Sequence, residues 1–302
     1  MATRESIGVI GLGIMGSAMA ANVIAGGFSV HGYDVLAKRR AALTRAGGRA
    51  ARSAREVATG ASFVITSLPS AQALRDVAAE FASVGKRGQI VVETSTLPIA
   101  VKEEARSLLA RRGVVLLDCP LSGTGAQAKV KDLVVYASGA RSAYRRSVPV
   151  LEAFARAHYF LGDFGAGSKM KFVANLLVAI HNVSAAEALV LGMKAGLDPA
   201  TMVEVLGDGA GASRMLQVRG PMMVKGRYAD AAMKVGVWQK DMRIIGEFAR
   251  ELDCPTPLFA ATTAIYNAAM ALGFAESDTA AVCAVLEKWA ATRPRRQRGI
   301  VT

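Results

Sequence analysis

The sequence predicts an α/β protein, with an N-terminal doubly wound parallel sheet followed by an all-α C-terminal domain. Three observations predict it. Residues 5–16 read as a short apolar strand that runs straight into Gly11-Leu-Gly13-Ile-Met-Gly16 and then into a helix. Strand-like and helical segments alternate up to about residue 162, which is the grammar of a doubly wound sheet. Beyond the glycine-rich segment 162–167, read as a hinge, the pattern changes to long alanine-rich helices, the first over 168–195. The expected division is a dinucleotide-binding domain over 1–164 and a helical substrate and oligomerisation domain with a basic tail over 165–302.

The first strand and its turn carry the strongest local signal. Gly11 lets the chain turn tightly, Gly13 removes a side chain that would block a pyrophosphate, and Gly16 lets the helix approach the strand. Leu12, Ile14 and Met15 complete this cofactor turn, and the helix N-terminus offers N–H groups and a positive dipole end to phosphates. Residues 29–33 read as the second strand. Asp34 ends it, about 20 residues past the glycines, where a ribose-binding carboxylate belongs in a Rossmann sheet. The carboxylate favours NAD, because it accepts hydrogen bonds from a ribose diol and repels a 2′-phosphate. Lys38, Arg39 and Arg40 open the next helix and leave NADP possible.

The alternation continues with strands over 62–67 and 89–93 and helices over 71–83 and 99–112. Leu68 and Pro69 follow the first of these strands, and Ser95 and Thr96 follow the second, at carboxyl ends where ligands of such sheets bind. Turn and N-cap chemistry accounts equally well for Ser95 and Thr96. Shorter strands over 114–119, 133–138 and 158–161, with a helix over 140–157, complete the sheet.

Composition narrows the function classes. Cys119, Cys254 and Cys283 lack C-x-x-C spacing, so neither a disulfide framework nor a zinc site is expected, and a reducing cytoplasm fits. Residues 1–5 are polar, which predicts no secretory segment. The uncharged stretch 254–275 contains Pro255, Pro257 and Asn267 and reads as a buried helix rather than a membrane span. A net charge of +13 suits anionic small molecules or nucleic acid. Its dispersal over helices, with one cluster at Arg293, Arg295, Arg296 and Arg298, favours solvated faces and a frayed end over a nucleic-acid partner. The apolar second-domain helices predict a homodimer or homotetramer.

A dinucleotide domain does not choose a reaction, so the catalytic group must lie elsewhere. Of the three histidines, His31 and His158 lie in strands and His181 in a long apolar helix, and each reads as structural. No metal-ligand spacing is present. Lysine remains. Lys171 and Asn175 stand i,i+4 on one helix face, about 40° apart, with Asn182 on the same stripe and Lys169 roughly 160° from Lys171.

With these residues in place the chain resembles the β-hydroxyacid dehydrogenase family, which includes 3-hydroxyisobutyrate dehydrogenases and tartronate semialdehyde reductases and shares its fold with 6-phosphogluconate dehydrogenase. The resemblance rests on Gly11–Gly16 with Met19 and Asn22, on Asp118-Cys-Pro-Leu-Ser-Gly123, on the segment 165–175 and on Lys240-Asp241. It implies hydride transfer between NAD(P) and a small anionic hydroxy acid or its semialdehyde. It further implies that Lys171 is the proton donor or acceptor, that Asn175 orients the substrate, that Ser122 and Gly123 hold its carboxylate, that Leu68-Pro69 and Ser95-Thr96 are cofactor contacts, and that Lys240 contacts cofactor and substrate. Thr124 stands where the family commonly has glycine, narrowing the pocket and adding a hydroxyl, and Lys129 and Lys131 face either a second anionic group or solvent. A catalytically silent family member binding nucleic acid is the alternative reading.

Overall fold

The computed structural model describes residues 6–292, so the expectations for residues 1–5 and for Arg293, Arg295, Arg296 and Arg298 lie outside the described residues. The chain divides into two compact units, Met1–Val173 and Ala174–Thr302.

In the first unit, β1 (Ser6–Ile10), α1 (Ile14–Ala25), β2 (Ser29–Tyr33) and α2 (Ala37–Arg45) follow the predicted order. The short β3 (Arg49–Ala50) and α3 (Ala54–Gly60) come next and were not foreseen, being too brief to show a period. Then come β4 (Phe63–Thr66), α4 (Ala71–Val84), β5 (Ile90–Glu93), α5 (Ile99–Ala110) and β6 (Val115–Asp118). The six strands form a parallel sheet in the order β3-β2-β1-β4-β5-β6. Strand order therefore reverses between β1 and β4, the switch point outside whose carboxyl ends ligands of such sheets bind. Both faces are covered, with Ile7, Val9, Ile65 and Val92 on one side and Ile10, Val64 and Val91 on the other. These strands accordingly read as continuous apolar runs.

The remaining strands depart from the single sheet expected. β7 (Leu121–Ser122), β8 (Val134–Ala137) and β9 (Ala157–Phe160) form a separate three-stranded sheet, with α6 (Gly125–Lys129) and α7 (Arg141–Phe154) between them. An isolated bridge, Asp118 to Ser138, joins it to β6. Periodicity shows that a segment is a strand but not which strand it pairs with.

The segment 162–167 also differs from the expected hinge. α8 (Ala166–Lys194) has already begun within it. A Cβ on Gly167 would overlap the carbonyl oxygens of Tyr136 and Asp118, so the glycine permits close approach rather than movement.

The second unit comprises the rest of α8, α9 (Pro199–Asp208), α10 (Arg214–Lys225), α11 (Val235–Glu251), α12 (Pro257–Ala271), a 3₁₀ turn (Thr279–Ala281) and α13 (Val282–Trp289). Asp198 caps α9 and Ser213 caps α10, each accepting from a backbone N–H three residues on. The buried pair Arg219 Nε to Asp278 Oδ1, at 3.0 Å, fastens the loop before α11, because Asp278 Oδ2 accepts from the amides of Ala232 and Met233. By length and composition α8 is apolar enough to cross a membrane. It nonetheless carries buried Asn182, which donates to Tyr266 Oη and to the carbonyl of Thr279, as a core helix does. Residues 254–275 supply α12, whose Phe259, Thr262, Ile265, Tyr266 and Ala269 are buried.

Candidate active site

The cofactor turn follows β1 with its main chain fixed on both sides. Gly11 N donates to Tyr33 O at 2.9 Å, and Ser67 N donates to Ile10 O at 2.9 Å. Gly11 has φ +87°, and a Cβ on Gly16 would overlap its carbonyl oxygen, so the strand and α1 meet at glycine contact. Gly13 is different. A Cβ there would meet nothing within 4 Å, and as N-cap of α1 it provides no side-chain cap. The open space over uncapped N–H groups fits the pyrophosphate of a dinucleotide. Ile14 is exposed beside this turn, while Leu12 is buried and Met15 packs on the core.

Asp34 is buried at the end of β2 and well supplied with donors. Its Oδ2 accepts from Leu12 N at 2.8 Å and Arg39 Nη1 at 3.1 Å, and its Oδ1 accepts from Leu36 N at 2.8 Å. Arg40 Nη1 donates to the Asp34 carbonyl at 2.6 Å, and its guanidinium lies over the Tyr33 ring. Lys38 is exposed. The ribose end thus presents a carboxylate already paired with a guanidinium, a relation that the spacing did not reveal.

Leu68 and Pro69 follow β4, and Leu68 N donates to Ser95 Oγ at 2.7 Å. Ser95 is therefore a strut between two strand ends, and Thr96 stands half-buried beside it. The Ser122–Gly125 loop packs on the cofactor turn, for a Cβ on Gly125 would overlap Ile14. Gly123 has φ +135°. Thr124 accepts from Gln127 N, and its amide donates to Gln127 Oε1 at 3.0 Å. The Thr124 hydroxyl and amide thus form a capping box with Gln127 at the start of α6. The Thr-x-x-Gln spacing was the signal. Lys129 and Lys131 are exposed.

Among the expected catalytic residues, Lys171 is half-buried on α8, whereas Lys169 is exposed. The helix start is held from β6 and β8. Ser168 N and Oγ donate to Asp118 Oδ2 and Oδ1 at 2.7 and 2.8 Å, and Gly167 N donates to Ser138 Oγ at 2.9 Å. One turn beyond Lys171, buried Asn175 donates through Nδ2 to Asp241 Oδ2 at 2.9 Å. The other oxygen of that carboxylate pairs with Lys240 Nζ at 3.0 Å. Asp241 therefore couples Asn175 to Lys240, a function not assigned to it from sequence. Asn182, on the same stripe, is fully buried, and its Nδ2 donates to Tyr266 Oη and Thr279 O within the second unit.

Two of the three histidines make contacts within the first unit. His31 faces Glu56 at 3.5 Å, and burial followed by nearby Arg49 holds its pKa below the ordinary range against the opposing pull of Glu56. His158 Nδ1 shares a 2.7 Å hydrogen bond with Tyr144 Oη. His181 lies half-buried in α8.

The chain matches two family models in tandem. The NAD binding domain of 6-phosphogluconate dehydrogenase covers residues 6–162, and the NAD-binding domain of NADP-dependent 3-hydroxyisobutyrate dehydrogenase covers residues 165–286. The chain belongs to the β-hydroxyacid dehydrogenase family. Members of this family are NAD(P)-dependent oxidoreductases acting on CH–OH groups. L-threonate dehydrogenase of Cupriavidus necator is 34% identical over 92% of this chain and 95% of its own length. The 2-(hydroxymethyl)glutarate dehydrogenase of Eubacterium barkeri is 30% identical over 93% of this chain and 95% of its own. The solved 3-hydroxyisobutyrate dehydrogenase of Salmonella typhimurium superposes with a TM-score of 0.85 at 32% identity, covering 93% of this chain and 99% of that one. A parallel sheet followed by a helical domain is accordingly the family's architecture.

Proposed function

We propose that this β-hydroxyacid dehydrogenase interconverts a short 3-hydroxy acid and its semialdehyde, with Lys171 as general acid/base. The observation that supports the reading is the attachment of the first turn of α8, three residues before Lys171, to Asp118 at the carboxyl end of β6. Residues 1–164 serve as the cofactor domain and 165–302 as the substrate and oligomerisation domain. The bound nicotinamide supplies the hydride acceptor or donor. In oxidation the neutral Lys171 amine takes the hydroxyl proton as the carbinol carbon loses hydride, and in reduction its ammonium returns a proton to the carbonyl oxygen. Asn175 orients the reacting oxygen, with its amide fixed by Asp241. Ser122 and the Gly123 main chain take the carboxylate, while Thr124 shapes their loop through its cap.

Gly11–Gly16, Asp34, Leu68, Pro69 and Thr96 are the proposed cofactor contacts, and Lys240 supplies positive charge next to Asn175 through Asp241. Because Arg39 already neutralises Asp34, the reading extends to NADP alongside NAD. A reducing cytoplasm suits the free thiols of Cys119, Cys254 and Cys283. The relatives described above are named as dehydrogenases, which gives no support to a silent nucleic-acid-binding role.

Initial rates of NAD and NADP reduction across a panel of 3-hydroxy acids, mono- and dicarboxylic, test the proposal. Turnover with at least one member is expected, and Arg39→Ala should raise the KM for NADP about tenfold while that for NAD stays within about twofold. An absence of turnover across the panel in both directions would overturn it. Exposed Leu191 and Trp289 line an apolar groove between α8 and α13, and we assign this face to self-association. Light scattering should return a dimer or tetramer mass, and Leu191→Glu should lower it; a monomeric wild type would remove this assignment.

A further inference from the structure

Lys102, on α5, takes no part in the proton transfer proposed above, yet its side chain is fully buried. Its ammonium donates to the carbonyl of Ser95 at 2.7 Å and to Asp118 Oδ1 at 2.8 Å, and it pairs with Glu93 Oε2 at 2.7 Å. Two of its N–H bonds are thus hydrogen-bonded, to Ser95 and Asp118, and the Glu93 carboxylate adds an ion pair. Burial opposes the charge, but Asp118 and Glu93 outweigh it and hold Lys102 above the ordinary lysine range.

Each partner leads outward to the site. Glu93 Oε1 accepts from Ser95 N at 3.0 Å, and Ser95 Oγ accepts from Leu68 N, so one branch reaches the strand ends assigned to the cofactor. Asp118 accepts from Ser168 N and Oγ and from Ser138 Oγ, so the other branch reaches the first turn of α8, one turn before Lys171. A single hydrogen-bonded path therefore runs from the ends of β4 and β5 through Lys102 to the helix that carries the proposed base.

We propose that Lys102 is a positioning residue. Its directed bonds tie the Ser95 main chain to Asp118 and so set the start of α8, and Lys171 on it, against the cofactor-side strand ends. This rests on the reading of Lys171 as general acid/base. The bland alternative is that Lys102 only neutralises two buried carboxylates, in which case charge matters and bond direction does not.

The test compares wild type, Lys102→Met and Lys102→Met/Glu93→Gln in the full chain. The double variant removes one charge of each sign, so the cluster keeps its net charge; Glu93, Asp118 and Cys119 are the titratable groups facing Lys102. Amide hydrogen exchange over residues 166–172 and steady-state kinetics are the readouts. In the double variant we expect exchange at the start of α8 to quicken about tenfold and kcat to fall about tenfold, with KM values within about threefold. A folded double variant with exchange and kcat within about twofold of wild type would overturn the proposal. Should neither Lys102 variant fold, Ser168→Ala decides by the same exchange readout: faster exchange supports the anchor, and unchanged exchange overturns it. If Lys171→Ala stays active while the Lys102 variants loosen α8, the Lys171 reading fails and the anchor stands. If Lys171→Ala is inactive and the double variant behaves as wild type, only the positioning proposal fails.

Discussion

Lys171→Ala is expected to lower kcat by about 10²–10⁴-fold, the range that a positioned acid/base group contributes, with cofactor affinity nearly unchanged. Titration with NAD(P) and single-turnover rates in the presence of hydroxy acid would separate the two effects. Lys169→Ala is the control. It lies two residues away but is exposed, and its removal should leave kcat within about twofold. Exogenous primary amines should restore part of the rate to Lys171→Ala, because the missing function is proton exchange rather than packing. Retention of nearly full turnover in Lys171→Ala would exclude the mechanism.

The second large effect separates binding from folding within one turn. Gly13→Ala adds a methyl to open space, so the thermal midpoint should stay within a few degrees of wild type while cofactor affinity falls by about a hundredfold or more, because the methyl occupies the pyrophosphate position. Gly16→Ala should behave in the opposite way. Its methyl would overlap the Gly11 carbonyl, costing about 3 kcal/mol or more, a large share of the stability of a domain. Thermal denaturation of the two variants, with and without cofactor, checks the contrast. Equal loss of stability in both would show that Gly13 serves the fold rather than the ligand.

How much of this was legible beforehand depended on range along the chain. The turn at Gly11–Gly16 and the i,i+4 pair Lys171 and Asn175 are local, and local spacing records them. Thr124 was legible too, since Thr-x-x-Gln states a capping box, but a departure from the family's glycine drew attention to its hydroxyl instead. Lys102 could not be read. On an amphipathic helix a lysine ordinarily lies in solvent, and its partners Glu93 and Asp118 stand 9 and 16 residues away on separate strands. Asp241 meets Asn175 across 66 residues, and β8 and β9 needed strand pairing to reveal their own sheet. The residues proposed to carry the chemistry stand in local motifs; the residues that hold them in place lie far from them along the chain.

The bare N-terminus of α1 has a consequence for the life of the protein as well as for its ligand. No side chain caps this helix at Gly13, so a bound dinucleotide supplies what the chain itself omits. Ligand that binds only the native state raises its stability with concentration, by about 2.7 kcal/mol at a hundred times Kd. The rare unfolded population, on which proteases act, thereby shrinks as the dinucleotide concentration rises.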